Sequence, residues 1–227
     1  LAGLGSAGAR IFLTGNLHTV NATLFSILLA SDDGGQTWFE AHDRINSAML
    51  EQIQFLDLEN GWISGERMTG GPRDPFLLAT RDGGKTWRAR PIYDDPRGGA
   101  IDSFLFDSKM HGMVWMDRSQ IGEPGSRYET LETMTGGEDW AIREAGDRPI
   151  AGKRRPPPAA GWRLRPDAAT KSYRLERQNG ERWERVANFL VEVGECREPE
   201  ISLPPPEAPP AQTNPAGEDA PPAAKKP

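Results

Sequence analysis

One cysteine, Cys196, stands in a chain of 227 residues, so no internal disulfide forms and the usual cysteine-based zinc sites are excluded. Cys196 has no histidine near it in sequence, and a small buried residue describes it better than a nucleophile does. Histidine is nearly as scarce: His18, His42 and His111 lie far apart, without metal-ligand spacing. Basic residues are outnumbered, 27 to 33, leaving a formal charge of −6. That balance disfavours a non-specific nucleic-acid binder, which is usually basic. No apolar run reaches the roughly 18 residues that a membrane-spanning helix requires. No G-x-S-x-G elbow and no phosphate-binding loop opening a helix is present. These absences leave no catalytic residue, metal or cofactor to assign.

What the chain does have is glycine, proline and tryptophan: 25, 20 and 7 residues. Glycine and proline in such number mark many turns rather than long helices. With a mean hydropathy of −0.61, the chain reads as soluble and turn-rich.

The tryptophans recur in register. Ser31-Asp32-Asp33-Gly34-Gly35-Gln36-Thr37-Trp38 and Thr80-Arg81-Asp82-Gly83-Gly84-Lys85-Thr86-Trp87 share the pattern S/T-x-D-x-G-x-T-W. A worn copy runs from Thr133 through Gly137 to Trp140, and a fainter one from Glu176 to Trp183 with Gln178 in place of the aspartate. Trp38, Trp87, Trp140 and Trp183 are 49, 53 and 43 residues apart, a spacing of one propeller blade. A second landmark keeps phase with them: Phe55-Leu56-Asp57 before Gly61-Trp62, and Phe106-Asp107-Ser108 before Gly112-Met113. Gly161-Trp162 holds the same place before the last copy.

The motif has a folding explanation. An apolar strand enters a D-G-G turn, aspartate accepts backbone N–H groups, glycine supplies positive φ, and tryptophan packs beneath the turn. On this reading Ser31, Asp33, Gly35, Thr37, Trp38, Thr80, Asp82, Gly84, Thr86, Trp87, Gly137 and Trp140 are structural.

These boxes resemble the Asp-box (BNR) repeats of sialidases, some glycoside hydrolases, sortilin-like receptors and photosystem II assembly factors. The added F-x-D…G-W-x-x-G element is most similar to the Ycf48/HCF136-type assembly factors. The resemblance spans about residues 8–195. It implies an all-β propeller of four-stranded antiparallel blades, with four blades recognisable where the family usually has seven. It implies no cofactor and a protein partner, including a membrane or envelope protein on the non-cytoplasmic side.

The expected organisation is a propeller over 10–198 and a disordered tail over 199–227, where ten of twenty-nine residues are proline. Residues 1–9 read either as the end of a signal peptide, with Ala7-Gly8-Ala9 fitting the cleavage pattern, or as a first strand. The first alternative points to a periplasmic or secreted protein. The triplet Pro156-Pro157-Pro158 excludes a central strand there. Val186–Val193 offers itself as the innermost strand missing before Arg10, which would close a four-bladed ring; a truncated chain is the alternative.

Antiparallel blades place the Asp boxes on one face and the longer B–C and D–A loops on the other. The second face is the expected binding face, and its arginines Arg67, Arg73, Arg97, Arg118 and Arg127 suit a carboxylate or phosphate. The function expected is a non-catalytic protein-binding scaffold or assembly factor. The alternative is a glycoside hydrolase, a sialidase-like enzyme or a carbohydrate-binding module. A sialidase needs a tyrosine–glutamate nucleophile pair, and Tyr128-Glu129, being sequence neighbours, point to opposite faces of a strand.

Overall fold

The computed structural model describes residues 1–190 apart from 20, 69–70 and 95–97. The chain is an all-β propeller, and its described part contains fifteen strands and no helix. The first blade comprises β1 (Gly3–Ala7), β2 (Arg10–His18), β3 (Thr23–Ser31) and β4 (Phe39–Glu40). The second comprises β5 (Ala48–Phe55), β6 (Gly61–Arg67), β7 (Asp74–Thr80) and β8 (Arg88–Pro91). The third comprises β9 (Ala100–Phe106), β10 (Gly112–Asp117), β11 (Tyr128–Thr133) and β12 (Ala141–Gly146). In each, neighbours in sequence are antiparallel neighbours in the sheet. The fourth sheet has three strands, β13 (Trp162–Asp167), β14 (Ser172–Asn179) and β15 (Arg182–Leu190).

Burial follows strand position. Ile11, Phe12 and Leu13 on β2 and Phe76, Leu77 and Leu78 on β7 are fully buried, because a neighbouring sheet covers each face. The outermost strands β4 and β12 are exposed along most of their length. Their short, charged sequences suit an edge that must not recruit another strand.

One aromatic arrangement repeats between blades. Phe12 on β2 stacks on Phe55 at the end of β5, centroids 4.9 Å apart, and Trp87 meets both edge-on. One blade further, Trp62 on β6 stacks on Phe106 at the end of β9 at 3.8 Å, and Trp140 meets Phe106 edge-on. The F-x-D and G-W landmarks are thus the two halves of one inter-blade contact. Polar side chains add stitches between inner strands. The Gln54 amide accepts from Phe106 N and donates to Phe106 O, at 2.8 and 2.6 Å. Asn16 accepts from Leu50 N at 2.8 Å.

The fourth sheet packs beside the first. Trp38 meets Phe189 edge-on at 5.3 Å, and Leu175 and Val186 press on Gly35. The spatial order is therefore fourth, first, second, third. No strand of the third sheet touches one of the fourth among the described residues. The connection 147–161 contains no strand, as its prolines require, and Lys153 pairs with Asp102 on β9. Of the stretch expected to close the ring, Val186–Val193, the described part to Leu190 belongs to β15 and pairs along β14 on the side away from β13, so it supplies no strand inside β2; residues 191–193 lie outside the described residues. The strand inside β2 is β1, from Gly3 to Ala7. The tail 199–227 and Cys196 lie outside the described residues.

The third blade ends differently from the other two. Ala30 and Ala79 lie opposite Phe12 and Trp62 in the cross-strand register; the corresponding residue opposite Met113 is Glu132. Glu132 accepts hydrogen bonds from Arg143 and His111, both at 3.1 Å. A polar cluster stands where the first two blades carry a small apolar residue.

Candidate functional site

The D-G-G turns consume their acidic residues in folding. Asp33 accepts from Gln36 N, Thr37 N, Thr37 Oγ1 and Ser31 Oγ at 2.6 to 2.9 Å. The Thr37 hydroxyl and amide chiefly hold its carboxyl far below the ordinary range. Asp82 repeats the set with Thr86, Lys85 N and Thr80. Desolvation opposes them, yet these bonds bring Asp82 down to about 2. Ser31, Thr80 and Thr133 each accept the amide of the second glycine, Gly35, Gly84 or Gly137, at 2.7 to 3.0 Å. Both glycines of each turn have positive φ, which L side chains avoid. In the third turn Thr135 replaces the aspartate and accepts Asp139 N at 2.8 Å. The fourth copy is a tight hairpin in which Gln178 pairs with Trp183 across the strands.

On the opposite face the loop arginines are met by carboxylates. Arg67 reaches Asp74 at 3.3 Å and lies over the Phe76 ring at 4.7 Å. Arg73 donates to Glu66 Oε2 at 2.9 Å. Arg118 donates to Glu129 at 2.5 Å, and both side chains are buried. Arg127 lies 3.8 Å from Asp147. Arg97 lies outside the described residues. Arg67, Arg73 and Arg127 are surface groups on that face, whereas Arg118 belongs to the interior.

Sequence reasoning missed the acidic partners, because each ion pair crosses from one strand or loop to another, and the register that brings the two groups together is not written in their spacing. Glu66 is the clearest case. Its Oε1 accepts the Ile101 amide of β9 at 2.7 Å while Oε2 takes Arg73. Burial raises its pKa, and the Ile101 and Arg73 contacts only moderate the rise. Likewise the tyrosine that meets Glu129 is Tyr93, whose hydroxyl donates to Oε2 at 2.8 Å. Tyr128 is a strand neighbour on the other side.

Three depressions adjoin on this face, and Arg73 lines all of them. One, of about 490 Å³, lies over the inner strands between Glu51, Gln52, Glu66, Asp102 and Arg155. A second, of about 390 Å³, is bounded by Pro72, Asp117 and Ile121. The third, of about 610 Å³, is bounded by His18, Thr19, Asn21, Ser47 and Met68. Ser47 holds φ of 50°, uncommon for a residue with a side chain, and its carbonyl accepts Met68 N at 2.6 Å. Among the described residues no group of three or more His, Cys, Asp or Glu is placed to hold a metal ion.

No protein-family model and no curated protein sequence matches the chain. Solved structures do resemble it. Ycf48 bound to a D1 peptide is 19% identical with a TM-score of 0.46, over 81% of this chain and 53% of that one. Ycf48 from Cyanidioschyzon merolae is 14% identical with a TM-score of 0.28, over 85% and 72%. The α-L-arabinofuranosidase Arb93A from Fusarium graminearum, in complex with an iminosugar inhibitor, is 16% identical with a TM-score of 0.41, over 81% and 55%. The chain spans about half the length of the first and third of these proteins. It is thus similar in part to propeller proteins of two kinds, a peptide-bound one and a glycosidase.

Proposed function

We propose that this chain is a non-catalytic binding propeller that takes a polypeptide partner on the face opposite the D-G-G turns. The observation that carries the reading is the meeting of three open depressions at Arg73. A small-molecule site is typically one enclosed concavity with a few convergent polar groups. A broad, lobed surface with alternating arginine and carboxylate suits an extended chain, whose backbone amides and side chains can meet both signs of charge. The surface groups proposed for contact are Arg67, Arg73 and Arg127, with Arg97 in the same loop series. A membrane or envelope protein on the non-cytoplasmic side fits the resemblance of the repeats to the assembly-factor group.

The test is affinity capture from the native envelope, comparing the parent chain with the Arg67→Glu/Arg127→Glu variant. A protein retained by the parent and lost by the variant supports the reading. Retention of the same proteins by both removes the face assignment. Turnover of arabinan, xyloglucan or sialoside substrates by the purified chain replaces the binding module with an enzyme.

A further inference from the structure

At each seam between blades, a guanidinium lies on the first glycine of the following turn. Arg10 donates to Gly83 O at 3.3 Å. Arg177 lies beside Gly34, and Arg81 beside Gly136, so close that a side chain on Gly136 would strike it. The three arginines differ in what faces them. Arg10 is held by both carboxylate oxygens of Asp32. Arg177 lies 5.9 Å from the Trp162 ring. Arg81 has no ion pair or hydrogen bond among the described residues. It occupies the motif position that Asp32 fills in the first turn, so the charge at that point is reversed.

Two more guanidiniums converge there. A cleft of about 320 Å³ between the second and third turns is lined by Arg81, Arg88 and Arg90, together with Thr86, Asp82 and Glu138. Arg88 is exposed and, like Arg81, unpaired among the described residues. Arg90 donates to Glu138 Oε1 at 2.9 Å, with both groups partly exposed. Asp82 is already engaged with its own turn. The cleft therefore has uncommitted positive charge on a chain whose net charge is −6. Arginine is suited to such a site because its planar fork binds an oxyanion through two parallel hydrogen bonds.

We infer that the seam between the second and third D-G-G turns is an oxyanion site, with Arg81 and Arg88 as its free donors and Arg90 as a shared one. Its ligand is a phosphoryl or carboxylate group presented by a bound molecule. The site lies on the opposite face from the surface assigned to the polypeptide partner, so either assignment can fail without the other.

The test uses the full 227-residue chain, uniformly ¹⁵N-labelled, titrated separately with inorganic phosphate and with citrate against sodium chloride of equal ionic strength. The amides of Gly83, Gly84, Gly136 and Gly137 report on the cleft. Saturating shifts at these glycines are expected with phosphate, citrate or both; saturation by one alone identifies the phosphoryl or the carboxylate source. Arg81→Gln with Arg88→Gln is expected to weaken the binding by about tenfold or more, since each charge-assisted hydrogen bond is worth about one decade. Arg143→Gln, on the third blade away from the cleft, is expected to leave it unchanged. Shifts that chloride reproduces, shifts that never saturate, or binding unaltered in the double variant would overturn the inference. Unperturbed amides elsewhere in the double variant exclude misfolding as the cause of a loss.

Discussion

Trp62 and Phe106 lie parallel at 3.8 Å, with 4° between their planes, although 44 residues of chain and a blade boundary separate them. The Trp62 indole N–H also donates to Gly136 O, at 3.1 Å, within the third turn. One side chain therefore ties the second blade to both the inner strand and the D-G-G turn of the third. Trp62→Ala is expected to cost about 3–5 kcal/mol, read as a fall in the denaturant midpoint. A loss of unfolding free energy under about 1 kcal/mol, about a quarter of that cost, would remove the seam from the account of stability.

Gly84 tests the turn itself. It has φ of 77°, and a Cβ there would run into the Phe12 ring. Gly84→Ala combines strain with overpacking and is expected to destabilise by about 2 kcal/mol or more. Gly125 also has positive φ, of 88°, but nothing lies near it. Gly125→Ala should cost less, and the difference between the two in thermal unfolding isolates the Phe12 contact.

The carboxylates of the turns predict an acid limb. The folded pKa of Asp82 is lowered to about 2 and that of Asp33 is lowered further. Their contribution is complete above the unfolded value, near 3.9, and is lost as pH falls through the folded values. Asp82→Asn should flatten the fall in unfolding midpoint between about pH 4 and 2. A variant with the parent's full acid dependence contradicts the assignment.

His111 acts in the opposite direction. Asp107 and Glu132, on its two ring nitrogens at 2.7 and 3.1 Å, raise its pKa. The stability it contributes is fully present below the unfolded value, about 6.5, and disappears as pH rises through the raised folded value. His111→Gln should remove the part of the decline in midpoint that lies between about pH 6.5 and the folded value. The polar end of the third blade predicts the same from Glu132→Gln, and direct titration of the His111 ring by NMR checks the direction.

Arg118 and Arg67 separate interior from surface among the loop arginines. Arg118→Ala leaves Glu129, 1% exposed, without its guanidinium, and is expected to cost about 3–5 kcal/mol. Arg67, paired to Asp74 in the open, should cost under about 1 kcal/mol on the same substitution. Equal effects would show that burial is not what distinguishes them.

The repeat was legible in the sequence because its causes are local. A D-G-G turn makes its hydrogen bonds within a few residues, so Ser31, Asp33 and Thr37 meet wherever the motif occurs. The exclusion of a central strand at Pro156-Pro157-Pro158 was legible for the same reason: proline lacks the N–H that a ladder needs. The phase between the F-x-D and G-W landmarks announced a blade-length period, and the structure shows why they travel together, since Phe106 of one blade stacks on Trp62 of the blade before.

The order of the sheets in space was not legible. Val186 is apolar enough for an inner strand, but the pairing of β15 along β14 and the contact of Val186 with the buried Gly35 of the first turn decide its place, and those are tertiary facts. Nor could the sequence rank the arginines. Arg67, Arg73, Arg118 and Arg127 are alike as letters; each is set apart by a carboxylate brought from another loop or strand. Arg81, within a motif read as purely structural, stands unpaired because the third turn meets it with a glycine. Local hydrogen bonding and backbone sterics act over a few residues, and the sequence alone determines them. Charge pairing and desolvation depend on which distant segments arrive together, and only the tertiary structure decides that.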